Sequence, residues 1–388
     1  MSDKNAYFDD IRPLYDSEVR EAIQTLLADP GFQHAVGYIL PDVDWEQFSA
    51  VMSGYKTRSE FQHEMVFQTV TLLASRVTAG LRGDNWENID KDKSHVFLSN
   101  HRDIVLDASF LNILLSGNGF DTTEIAIGDN LLIHPWIDTL VRLNKSFIVR
   151  RGVSVRQMLM VSKHLSEYVH YAITQKHESI WMAQREGRAK DGNDRTQDSL
   201  LKMLALAPED KSFIESLKEL NLIPLAISYE FDPCDYLKAR EFQLKRDNPD
   251  HKKIPWDDLI SMETGMLGQK GHVVFRFGTC INPELDKIAA AEPDKRLQVD
   301  MVTSCIDNQI YRNYEIYPCN YIAYDLVEAG NRFADKYTKE QQTAFEQYVT
   351  GQIAKITDVP DKDEAYLRTK IYEMYCNPLK NHLEATGK

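Results

Sequence analysis

The chain has 388 residues, 43% of them hydrophobic and 27% charged, which is ordinary globular composition with ample material for a core. A formal net charge of −14 argues against a nucleic-acid binder driven by a basic surface, and it leaves any attraction to anionic lipid to a local patch. The five scattered cysteines form no C-x-x-C pair and read as reduced cytoplasmic thiols, the polar start shows no signal segment, and no apolar run reaches the roughly 18 residues of a membrane span.

Residues 1–92 read as a helical N-terminal region. The stretches 17–27 and 59–77 carry apolar residues at spacings of three and four, with breaks at Pro30-Gly31 and Pro41-Asp42. Polar 80–93 reads as a linker. From Ser94 the pattern changes to short apolar runs alternating with helical stretches, which favours an α/β core with a mixed sheet flanked by helices. Strands are expected at 96–98, 124–128, 145–151, 179–183, 221–228 and 272–278, and helices after Asp103, around Pro135 and over 154–172. The charged segment 233–256 shows no apolar face and reads as a surface loop or short helices. Helical spacing returns for 294–388, so the division expected is 1–92, an α/β domain over 93–290, and a helical C-terminal extension over 291–388.

The chemistry-bearing stretch is S-H-V-F-L-S-N-H-R-D-I-V-L-D-A-S over 94–109. A short strand stops at a polar elbow that opens a helix, which is where α/β folds place reacting groups. A carboxylate beside His101 fixes its tautomer and makes it a general base near neutral pH. The structural alternative is Asp103 as a helix cap beside a solvated His101. Arg150-Arg151 ends one strand and Arg185-Glu186-Gly187-Arg188 follows another, each either an anion clamp or a solvated basic turn. The chain lacks G-x-S-x-G, G-x-G-x-x-G, G-K-[ST] and H-E-x-x-H, so neither a serine nucleophile, a nucleotide loop nor a metal site is expected.

In order, N-H-R-D-I-V-L-D, G-D-N-L-L with R-L-N-K-S-F-I-V-R-R, R-E-G-R and L-I-P-L-A-I-S-Y-E resemble the four motifs of the glycerophospholipid acyltransferase superfamily, which includes glycerol-3-phosphate and 1-acylglycerol-3-phosphate acyltransferases. The resemblance covers about 94–283 and is nearest the glycerol-3-phosphate branch at the second and fourth motifs. It implies transfer of a fatty acyl chain from acyl-CoA or acyl carrier protein, as co-substrate and without a further cofactor, to glycerol 3-phosphate or a lysophospholipid in phospholipid biosynthesis. It further implies His101 as base with Asp107 as its partner, and Arg150, Arg151, Glu186, Gly187 and Arg188 about the acceptor phosphate. Asn100 and Arg102, which flank His101, are counted with the substrate contacts.

The chain departs from the family in two places. Five residues separate His101 from Asp107 where the family has four, and on a helix one added residue turns a side chain by about 100°. Either the elbow bulges so that Asp107 still reaches His101, or Asp103 takes the role; the text after Asp107 matches the family and favours Asp107. Arg188 also follows Gly187 directly, where the family has one residue between. An acyl groove is expected among the N-terminal helices or at 131–141. The basic stretch 142–156 suits a peripheral contact with the inner face of a membrane. The competing readings are an O-acyltransferase for a phosphate-free acceptor such as an amino-acid lipid or glycolipid, and a non-catalytic lipid-binding protein.

Overall fold

The computed structural model describes residues 6–388. Its centre is a seven-stranded sheet of β1 (Gly80–Asp84), β2 (Val96–Ser99), β3 (Glu124–Gly128), β4 (Ser146–Val149), β5 (Ile180–Ala183), β6 (Ile223–Tyr229) and β7 (His272–Phe277), in the order β1-β7-β6-β2-β5-β3-β4. The block β6-β2-β5-β3-β4 is parallel throughout, β7 runs antiparallel to β6, and β1 pairs parallel with β7. This is the α/β mixed sheet, flanked by helices and carrying helical terminal regions, that the sequence implies.

The parallel strands were legible because both of their faces are covered, so they read as unbroken apolar runs. Along β2, Val96 and Leu98 enter one core with Ile180 and Met182, while Phe97 enters the opposite core with Trp181, following the two-residue period of a strand. The first core is closed by helices Val155–Tyr171 and Lys295–Arg312, the second by Phe67–Val77 and Leu106–Gly117. A separate core joins the N-terminal helices Val19–Ala28, Pro30–Ile39 and Trp45–Gly54 to helix Pro135–Leu143.

Two expectations are corrected. The supposed linker after residue 80 contains β1, a half-exposed edge strand whose Gly-Leu-Arg-Gly-Asp text has no apolar alternation. The charged segment 233–256 forms a thirteen-residue helix, Asp235–Asp247. Its polar residues hid it, because Lys238 and Glu241 are buried in ion pairs with Asp232 and Lys190 and Asp235 is buried among Tyr348, Tyr375 and Gln352. This helix joins Pro318–Val327, Lys339–Ala354 and Glu364–Thr386 in one further core. No helix among the described residues is long and apolar enough to cross a membrane.

Because β2 to β6 run the same way, the chain leaves each of them at one edge of the sheet. His101 follows β2, Gly128 ends β3, Arg151 follows β4, and Arg185 to Arg188 follow β5, all on the rim of a single cleft of about 970 Å³.

Candidate active site

The elbow is built by side chains that take over backbone pairing where β2 stops. The buried Asn100 donates to the Ile227 carbonyl at 2.9 Å and accepts from the Ile227 amide at 2.8 Å, extending the β2–β6 ladder by one residue. Helix Leu106–Gly117 begins only after five further residues. Ahead of it, Asp103 accepts from the amides of Val105 and Leu106 at 2.9 and 2.8 Å and so satisfies donors that open the helix. Asp103 reaches that position because residue 265, in helix Pro255–Leu267, is glycine; a Cβ there would lie 2.3 Å from its Oδ2.

Asp107, in the first helical turn and fully buried, reaches back into the elbow. Its Oδ2 accepts from His101 Nδ1 at 2.8 Å, from the Arg102 amide at 2.6 Å and from the Asp103 amide at 3.1 Å. Its Oδ1 accepts from the Tyr229 hydroxyl at 2.8 Å, at the end of β6. The extra residue between His101 and Asp107 therefore lies in non-helical chain that wraps the carboxylate, and the rotation expected along a helix does not arise. Burial, reinforced by the Asp107 charge, holds the Tyr229 phenol well above its ordinary pKa, so it remains a donor. Burial likewise pushes the Asp103 carboxyl up, opposed by the Lys270 charge.

The imidazole packs edge-on against Trp181, with ring centroids 5.5 Å apart. With Nδ1 held by the carboxylate, Nε2 is the nitrogen left for a ligand, and His101 lines the cleft. Ile104, Ile125, Ile127 and Leu131 form an apolar wall beside it.

The cations divide into paired and unpaired. Away from His101, Lys190, Lys253 and Arg240 face Glu241, Asp258 and Asp358. After β5, by contrast, Arg185 Nε and Arg188 Nη1 are buried without a hydrogen-bond partner among the described residues, although both residues line the cleft and the Arg188 guanidinium also faces Cys234 and Asp232. Gly187 between them has φ +68°, the left-handed turn that aims the segment. Arg151 also lines the cleft and lies only 3.7 Å from the exposed Glu186. Its guanidinium crosses the end of β3, where a Cβ on Gly128 would come within 2.6 Å of Nε.

The structure places three of the expected substrate contacts outside the lining of the cleft. Arg150 does not line the cleft: the N-terminal segment covers the free edge of β4, with Ile148 N donating to Ile11 O, and brings Asp10 to Arg150 at 2.9 Å. Asn100 is spent on Ile227. Arg102 is buried in an ion pair with Asp194 at 3.0 Å, a contact without hydrogen-bond alignment, so it ties the elbow to the loop after β5. Sequence reading gave no role to Tyr229, which ends a recognisable apolar strand, and named Arg185 only as part of the charged run that holds Arg188.

No family model and no curated protein sequence matches the chain. Among solved structures it is similar to the 1-acyl-sn-glycerophosphate (LPA) acyltransferase PlsC from Thermotoga maritima, at 11% sequence identity and a TM-score of 0.35, over 75% of this chain and 93% of that one.

Proposed function

We propose that this protein is an acyltransferase that moves a fatty acyl chain from a thioester to the hydroxyl of a phosphate-bearing glycerol acceptor. The observation that carries the reading is the pairing of His101, with one nitrogen on Asp107 and the other toward the cleft, with the unpartnered guanidinium nitrogens of Arg185 and Arg188 in that same cleft.

In this mechanism His101 Nε2 takes the proton of the acceptor hydroxyl as the oxygen attacks the thioester carbonyl. The C–O bond forms, the C–S bond breaks, and the sulfur leaves as a thiol with the proton from His101. Asp107 keeps Nδ1 protonated and stabilises the transient imidazolium, while Tyr229 and two backbone amides hold the carboxylate still. Base assistance of this kind is worth about 10²–10⁴ in rate, and holding acceptor and thioester together adds more. Arg185 and Arg188 gain the acceptor their buried N–H groups lack, which a phosphate supplies in the planar geometry a guanidinium prefers. The apolar wall about Ile125 and Leu131 suits the start of the acyl chain. The donor is acyl-CoA or acyl carrier protein, and the acceptor is glycerol 3-phosphate or a lysophospholipid.

The test is thiol release from a long-chain acyl-CoA and from acyl carrier protein, each with glycerol 3-phosphate, lysophosphatidate, or a phosphate-free monoacylglycerol. Release that depends on the phosphorylated acceptors supports the reading. Release with monoacylglycerol alone would give the site to a phosphate-free acceptor.

A further inference from the structure

Residues 184–197, between β5 and helix Asp198–Leu204, carry Arg185 and Arg188 and form no regular secondary structure. The ends of this loop meet, with the Gln197 amide donating to the Gln184 carbonyl at 2.9 Å. Arg185 to Arg188, Lys190 and Asp191 line the cleft. The other side of the loop rests on the last helix, Glu364–Thr386. Asn377 Nδ2 donates to the Asp191 carbonyl at 2.8 Å, and Asn381 Nδ2 donates to Asn193 Oδ1 at 3.3 Å. Between those two tethers Gly192 takes φ +71°, and a Cβ on it would lie 2.3 Å from the Met374 carbonyl oxygen, so only a hydrogen fits there.

The last helix carries a proline, Pro378, in its interior. A proline has no N–H to bond the carbonyl four residues back, and its ring pushes that carbonyl aside. Four residues before Pro378 stands Met374, whose carbonyl is the one against Gly192. An ordinary residue at 378 would draw that oxygen into the helical hydrogen-bond ladder. One residue after Met374, the Tyr375 hydroxyl accepts from the Asp232 amide at 3.0 Å, and Asp232 faces the Arg188 guanidinium. Residues 374–381 thus touch both the loop that bears the two arginines and the acid behind Arg188.

We infer that Pro378 and Gly192 are matched positioning residues for the anion clamp. The proline leaves the Met374 carbonyl outside the helical ladder, the glycine seats against it, and the seat fixes the loop so that Arg185 and Arg188 converge on one anion. The inference rests on the reading above of those arginines as the contacts to the acceptor phosphate. No residue of the last helix lines the cleft, so its effect passes through the loop. A proline inside a helix carries a cost that alanine does not, so helix stability gives no reason for residue 378. The seat for Gly192 does.

The experiment uses the full chain and measures binding of inorganic phosphate and of glycerol 3-phosphate by titration calorimetry, with Tm and the thioester KM recorded beside it. The proteins are wild type, Pro378→Ala, Gly192→Ala, their double variant and Asn377→Ala. Pro378→Ala should have a Tm at or above that of wild type, because alanine restores the helical bond, yet bind both anions about tenfold more weakly. Its thioester KM should stay within about twofold of wild type. Asn377→Ala, which removes one tether and adds no bulk, should weaken anion binding in the same direction by less. Since Gly192 and Pro378 act through one contact, the double variant should lose no more than the weaker-binding single variant. Unchanged anion affinity in Pro378→Ala overturns the inference, as do losses that multiply in the double variant. A fall in Tm with equal losses for anion and thioester overturns it too, by making the proline part of general packing. Calorimetry needs no turnover. A wild type that binds neither anion refutes the phosphate reading and this inference with it, whereas a wild type and variants that bind both equally well refute the positioning alone.

Discussion

Substituting Asp107 by Asn separates the charge of the carboxylate from its geometry. Its Oδ2 faces three donors, the His101 ring and two amides, while its Oδ1 faces only the Tyr229 hydroxyl. An Asn therefore places its oxygen toward the three donors and its amino group toward Tyr229, whose hydroxyl rotates to accept. The His101 tautomer and ring position survive; the negative charge beside the transient imidazolium does not. Two unit charges about 4 Å apart interact by about 4 kcal/mol at the effective dielectric of about 20 suited to such sites. The neutral hydrogen bond that remains recovers about 1 kcal/mol of this. The expected loss in kcat is thus about 10²-fold, with little change in KM. Asp103→Asn is the control, because one amide oxygen accepts from Val105 and Leu106 as the carboxylate does. It should retain activity within about threefold. The assay is steady-state thiol release, with circular dichroism to confirm folding. A larger loss from Asp103→Asn than from Asp107→Asn, or an Asp107→Asn enzyme within threefold of wild type, would refute the reasoning.

The remaining predictions concern the cations and one buried acid. Arg188→Ala and Arg185→Ala should each raise the acceptor KM by about one to two decades, from charge-assisted contacts of about 1.5–3 kcal/mol, and leave the thioester KM unchanged. Arg150→Ala, whose side chain pairs with Asp10 outside the cleft, should leave both KM values within about twofold. Burial pushes Asp307, which anchors the Thr196 amide and hydroxyl through Oδ1, up to about 6. Folded and unfolded chains both hold this proton below about pH 3.8; between there and about 6 only the folded chain does, so its contribution to stability falls as pH rises through that window and is flat above. Asp307→Asn keeps the Oδ1 contacts and removes the ionisation cost, so it should raise Tm at pH 8 relative to wild type and make no difference near pH 4; equal Tm values at both pH values would count against that burial.

The part of this molecule legible in its sequence is the part built from continuous apolar strands and the polar residues that follow them. β2 to β7 lie where their apolar runs predict, and the residues from Asn100 to Asp107 sit at the elbow they describe. The partner of His101 was weighted toward Asp107 without being fixed, because the starting residue of helix Leu106–Gly117 decides which carboxylate reaches the ring and helix boundaries are weakly encoded in local text. Two further things escaped for physical reasons. Arg150 and Arg151 are neighbours at the end of one strand and point to opposite faces, so only the covering segment at Asp10 and the bare Gly128 assign one outward and the other to the cleft. Asn100 and Arg102 are polar residues whose partners, Ile227 and Asp194, lie far along the chain, and a polar residue satisfied at long range looks from its own sequence like a free one. Helix Asp235–Asp247 was obscured in the same way.

The central claim is that His101 is a base serving a phosphate-bearing acceptor. The direct measurement is acyl transfer from radiolabelled acyl-CoA or acyl carrier protein to glycerol 3-phosphate and to lysophosphatidate, with the lipid product identified, by wild type and by His101→Ala. The account predicts an acylated phosphoglycerol product from the wild type and a loss of at least about 10²-fold in His101→Ala with the fold intact. Product formed at the wild-type rate by His101→Ala would contradict it.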